Sequence, residues 1–137
     1  MELLQAIPSA RMIAAVFLAV LFLQSGLDKV IDWKGNLSWL QEHFKNSPLK
    51  NMVTFNLGLI TLLEILTGLI SAIGFFMLIT DGSPDFALLG AQLAGISLAM
   101  LFFGQRLAKD YEGAASLISY AIFVLISIVL FSDLPLA

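Results

Sequence analysis

The sequence has no cysteine and a single histidine, His43. The first absence excludes a disulfide framework, a thiolate metal site, a Cys-x-x-Cys redox pair and lipidation on cysteine. The second excludes a pair of histidine ligands for haem within the chain. Any electron-transfer role would therefore need a group or partner held by other means. Charge is also scarce. Only 12% of the residues are charged, against about 25% in an ordinary soluble domain, which is too few to clothe a water-facing surface. The net charge is −3 with no basic tail, so nothing marks a nucleic-acid partner. Lysine and arginine are missing from the first ten residues, where a secretory signal would carry them. The apolar run after Arg11 ends in Gln24, Ser25 and Gly26 without a small-x-small cleavage pattern, so the reading is a retained helix. No phosphate loop, no nucleophile paired with a base and no metal-ligand spacing is visible.

Apolar residues, at 59% of the chain, come in long runs, and mean hydropathy is +0.94. A spanning helix needs roughly 20 such residues, because about 30 Å of hydrocarbon is crossed at about 1.5 Å per residue. Helices are favoured there because the backbone must satisfy its own hydrogen bonds. The 137 residues suffice for one domain, 1–137. The expected fold is all-α, an integral membrane four-helix bundle with spans at about 12–31, 54–79, 86–103 and 114–131. The turn at residues 81–85 contains Gly82 and Pro84, which stop one helix, and aspartate and serine, which cap the next.

The first connection is longer. Trp33, Leu37, Leu40 and Phe44 fall on one helical face. Asn36 is the expected N-cap, and Pro48 the break before the next element. Both tryptophans, Trp33 and Trp39, lie here, and tryptophan favours the membrane boundary. A short interfacial helix at about 37–46 is therefore expected, with His43 solvated on its polar side. Lys29, Lys34, Lys45, Lys50, Arg106 and Lys109 share one side of the four spans, and Arg11 alone lies on the other. This asymmetry puts both termini on the periplasmic side of a bacterial inner membrane.

Glu64 is the most informative residue. An acid in mid-membrane costs about 2.5–3.5 kcal/mol on insertion scales, a cost offset by a partner, by water or by protonation. Two readings stand side by side: a polar contact that holds helices together, and a ligand or proton site. Depth suggests partners. Gln24 lies roughly 10 Å below the end of the first span and Glu64 roughly 12 Å below the start of the second. Asp28 is one turn from Gln24, and Lys29 one turn from Ser25. Lys29 can turn toward Glu64 or snorkel outward. The expected cluster is Gln24, Asp28, Lys29, Glu64 and Arg106, open toward the lysine-rich side. Gln92 reads as an interhelical hydrogen bond, and Ala91, Gly95 and Ala99, with Ala15 and Ala19, as a close-packing pattern.

The segment FLQSGLDKVIDW at 22–33, with Gly26 and Lys29, resembles the F-x-x-x-G-x-x-K signature of the DoxX family of small four-helix bacterial membrane proteins. Glu64 and Gly68 in EILTGLISAIG resemble the glutamate–glycine pattern of that family's second helix. The resemblance covers nearly the whole chain. It implies an association with thiosulfate:quinone oxidation or with redox and oxidative-stress assemblies, and it marks Gly26, Lys29, Glu64 and Gly68 without assigning them catalysis. Three functional expectations follow. The first is a non-catalytic or accessory subunit of a larger membrane complex, whose partners are lipid and other subunits or itself. The second is a quinone-binding component of a membrane oxidoreductase. The third, ranked last, is a small transporter or proton path, because a single four-helix bundle without a broken-helix pair is thin for alternating access.

Overall fold

The computed structural model describes residues 5–132, and the two ends of the expected 1–137 domain lie outside them. Every regular element among the described residues is a helix: α1 (Ala6–Ile31), α2 (Trp33–His43), α3 (Val53–Thr80), α4 (Asp85–Leu107), α5 (Tyr111–Ser116) and α6 (Ile118–Phe131). Four stretches are long and apolar enough to cross a membrane: α1, α3, α4 and the 21 residues Tyr111–Phe131 that join α5 to α6. These are the four expected spans, with shifted ends. α1 begins six residues before 12, because Ala6 to Arg11 contains no helix breaker after the first turn and Pro8 sits where its missing N–H is not needed. The last stretch starts at Tyr111 rather than 114, because Asp110 accepts a hydrogen bond from Gly113 N at 2.8 Å and so starts the helix earlier.

The α2 boundaries also differ from the expected 37–46. Asp32, not Asn36, is the N-cap: its Oδ1 accepts from Gly35 N at 3.3 Å. Asn36 instead donates through Nδ2 to the Asp32 carbonyl at 2.8 Å. A cap of this type is worth about 1 kcal/mol, and it sets α2 directly after α1 with one residue between them. The helix ends at His43, and Pro48 falls in the turns that separate α2 from α3, where a break was expected. Before α4 the cap residue is Pro84, with no side-chain cap bond. Ser83 Oγ accepts from Asp85 N only at 3.4 Å. Gly82 supplies the left-handed φ of +69° that turns the chain there.

α3 lies between α1 and α4, α4 packs on α6, and α1 touches α6. Gly26 of α1 lies against Ile65 of α3, and Gly68 of α3 lies against Leu23 of α1, so the two helices run antiparallel. Gly74 against Ala87 and Gly90 against Ser71 make the same arrangement between α3 and α4. The core consists largely of small residues, among them Ala14, Ala15, Ala87, Ala91 and Ala94, closed by Leu18, Phe22, Leu78, Leu98, Val124 and Phe131. Thr61, Thr67, Ser97 and Ser127 are buried and donate to the carbonyl four residues earlier, which satisfies their hydroxyls without a cross-helix partner. Large apolar side chains instead point outward: Ile13, Phe17 and Val20 on α1, Phe55, Leu62 and Phe76 on α3, Ile96 and Phe103 on α4, Ile122, Leu125 and Ile126 on α6.

At the far end, Arg11 of α1 reaches α6. Its Nε donates to the Leu130 carbonyl at 2.8 Å and its Nη2 to the Ser132 carbonyl at 3.2 Å. A cation at a helix C-terminus meets the negative end of the helix dipole as well as its unpaired carbonyls. Gln92, expected between helices, lies on the exposed face of α4. Of the expected small-residue row, Ala91 is buried but Ala99 is exposed. The row that packs is Ala87, Gly90, Ala91, Ala94, Ser97 and Leu98, whose three- and four-residue steps track the helix, whereas a strict four-residue step drifts off the face.

Candidate functional site

Glu64 is 1% exposed, at the centre of the buried face of α3. Lys29, near the end of α1, reaches it. Its Nζ lies 3.0 Å from Oε1 and 3.3 Å from Oε2. Only the Oε2 contact has hydrogen-bond alignment, and Oε1 is held by charge alone. The same ammonium donates to Ser25 Oγ at 2.9 Å and lies 3.4 Å from the Ser25 carbonyl. Ser25 thus orients Lys29 from one turn below on its own helix.

Gly26 makes this approach possible. A Cβ there would lie 2.7 Å from Ile65 Cγ1 and 3.2 Å from Ile65 N. With hydrogen in that position, α1 sits close enough for the lysine to reach a carboxylate rooted on the opposing helix. The reciprocal Gly68, where a Cβ would lie 2.7 Å from Leu23 N, fixes the second point of contact one turn away. Two points of backbone approach define the register of the helix pair.

The expected five-membered cluster contracts to two members. Lys29 and Glu64 are together, but Gln24 and Asp28 are exposed and face away from α3. Helical periodicity is the reason. Gly26 faces α3, and residues two positions before and two after it are rotated by roughly 200°. Depth matched, but direction did not. Arg106 is also elsewhere: it is exposed, with its guanidinium 4.5 Å from the centroid of the Tyr111 ring. Ser25, already next to Lys29 by helical spacing, is the member that replaces them.

Lys29 also borders a cavity of about 330 Å³. Leu40 of α2 and Phe44 just after it close one side, Leu57 and Ile60 of α3 and Met100 of α4 form apolar walls, and Asn56 and Gln105 add two polar side chains. Half-burial of Leu37, Leu40 and Phe44 agrees with the face expected from their spacing. The cavity itself could not be foreseen, because its walls come from α1 to α4.

His43 is not solvated. Its ring stacks on Trp39 with centroids 4.6 Å apart, and its Nε2 lies 2.9 Å from Gln105 Oε1 and 3.4 Å from Asp110 Oδ2. With two oxygen acceptors in front of it, Nε2 carries the proton and donates. The α4 terminus places Asp110 there. The Asp110 N–H bonds the Gln105 carbonyl and the Lys109 N–H bonds the Arg106 carbonyl, with Lys109 at a φ of 60°. This is a Schellman turn with lysine in the position usually held by glycine. It ties α2 to the end of α4, beside the cavity. Among the described residues no three histidines or acids come together as a metal set.

No family model, curated protein or solved structure matches this chain.

Proposed function

We propose that the chain is a small multi-pass protein of the bacterial inner membrane, of DoxX type, acting as a non-catalytic or accessory subunit of a larger membrane complex with a redox role. The observation that carries the membrane reading is the inverted distribution of side chains: Phe17, Leu62, Phe76 and Leu125 outside, alanine, glycine, serine, threonine and Glu64 inside. In water such a surface would be an aggregation liability. In lipid, helices gain little from burying leucine and associate through small residues and polar contacts. In this reading α2 lies in the interface on the cytoplasmic side and both termini face the periplasm.

The four residues that carry the resemblance, Gly26, Lys29, Glu64 and Gly68, converge on one joint between α1 and α3, which supports treating them as a single motif. Glu64 is balanced by Lys29, so the joint holds no unpaired acid, and this favours a structural part over a catalytic one. Extraction from native membranes in a gentle detergent should recover the chain in a complex with other membrane proteins. Recovery as a lone monomer at native expression would overturn the accessory reading.

The cavity beside Lys29 favours a second reading, a quinone-binding component of a membrane oxidoreductase of the thiosulfate:quinone type. Asn56, Gln105 and Lys29 have donors suited to a quinone carbonyl. Solvent extraction of the purified protein should then yield quinone, and Glu64→Gln should slow respiration at least several-fold. Quinone-free protein together with unchanged respiration in the variant would end that reading.

A further inference from the structure

The cavity has a charge balance that restricts what it accepts. Among the described residues Lys29 is the only charged one that lines it, and that charge is cancelled by Glu64, which is buried behind it. An anionic head entering the cavity would compete with Glu64 for the ammonium. It would leave a carboxylate that is 1% exposed without its counter-charge, an arrangement that costs several kcal/mol. A cationic head would meet Lys29 itself. An uncharged head escapes both costs. It also finds donors: Asn56 and Gln105 carry amide groups, and the Lys29 N–H that reaches the Ser25 carbonyl at a long 3.4 Å can turn to a better-placed acceptor. The remaining walls, Leu40, Phe44, Leu57, Ile60 and Met100, suit hydrocarbon. The volume of about 330 Å³ is at the low end for a ligand pocket, about 300–1,000 Å³, so it takes a head and the first part of a tail rather than a whole lipid.

We infer that this cavity is a binding site for a hydrocarbon-tailed amphiphile with an uncharged, hydrogen-bond-accepting head, and that the Lys29–Glu64 pair makes it discriminate against acids of the same tail. The inference rests on the membrane reading of the four helices. It does not depend on whether the chain is an accessory subunit or takes part in quinone chemistry. A membrane quinone and an uncharged glycerolipid share this chemistry.

The test uses the full chain in nanodiscs doped at equal mole fraction with 1-oleoylglycerol, with a benzoquinone bearing a tail of similar length, or with oleate, and native mass spectrometry counts what stays bound. At least one of the uncharged probes should be retained about tenfold more than oleate, the ratio expected when roughly 1.4 kcal/mol separates two ligands. Retention of the glycerol ester alone points to a glycerolipid, of the benzoquinone alone to a quinone, and of both to the shared chemistry. Met100→Trp fills the cavity without touching the ion pair and should abolish the retention. The double variant Lys29→Met/Glu64→Leu removes the charge pair but leaves Asn56 and Gln105, and should erase the discrimination, so that oleate and the uncharged probe are retained alike; an undiminished preference for the uncharged probe in this variant would also overturn the inference. Equal or stronger retention of oleate by the native chain, retention of no probe, or retention unchanged by Met100→Trp would overturn the inference. The membrane reading is checked separately: release of the chain from membranes by alkaline carbonate would refute that reading, whereas a firmly embedded chain that fails the probe test refutes only the ligand site.

Discussion

Replacing Lys29 with methionine should destabilise the protein by about 3–5 kcal/mol, the usual effect of leaving one member of a buried pair uncompensated. Among the described residues Glu64 pairs with no other cation: its carboxylate is 1% exposed, and its aligned hydrogen bond comes from Lys29. Glu64→Leu should be milder, because Lys29 is 19% exposed in its side chain and keeps Ser25 as a partner. A stranded lysine also snorkels more readily than a stranded carboxylate, given its long stem. Combining Lys29→Met with Glu64→Leu should restore stability to within about 1 kcal/mol of the native chain, since apolar replacement of a whole buried pair is often neutral or better. Unfolding by denaturing detergent, followed for the four proteins of this cycle, measures the coupling. Additive losses in the double variant would show that the pair is not the unit described here.

The second large effect is steric. An ideal Cβ at Gly74 would lie 2.5 Å from Ala87 N and 2.7 Å from Ala87 Cα, both backbone atoms that have nowhere to go. Gly74→Ala therefore forces α3 and α4 apart. The cost should reach the top of the 1–3 kcal/mol range for overpacking or exceed it, despite the better helix propensity of alanine. Gly95 is the natural control, because the nearest atom to its Cβ position is Val124 Cγ1 at 3.6 Å. Gly95→Ala should be neutral or stabilising by about 0.5–1 kcal/mol. The same detergent titration compares the two, and equal stability of both variants would mean that the α3–α4 contact is looser than these distances require.

The four apolar helices were legible because length and composition act over twenty residues at a time, and local errors average out. Their ends were less so. Asp32 outcompeted Asn36 as a cap because a helix can restart one residue after another stops, which a search for a gap between α1 and α2 does not anticipate. At the site, Lys29 and Glu64 were within reach of sequence reasoning because depth along a helix follows from residue counts. Gln24, Asp28 and Arg106 were not correctly placed, because rotation about the helix axis decides which neighbours meet. That rotation is set by Gly26 and Gly68, and only together. The tie of His43 to Gln105 and Asp110 needed the Schellman turn at Lys109. Glycine is the usual cue for such a turn, and with lysine there the sequence shows no sign of it.

The clasp made by Arg11 bears on how the chain is assembled. Its acceptors, the carbonyls of Leu130 and Ser132, lie 119 and 121 residues downstream. During synthesis the guanidinium is made with the start of α1, well before its partners at the end of α6. Until α6 arrives, that charge must remain among water and lipid headgroups at the membrane edge. Closure of the contact therefore reports that α6 has packed beside α1, and a chain stalled before α6 would present an unfastened arginine at one rim.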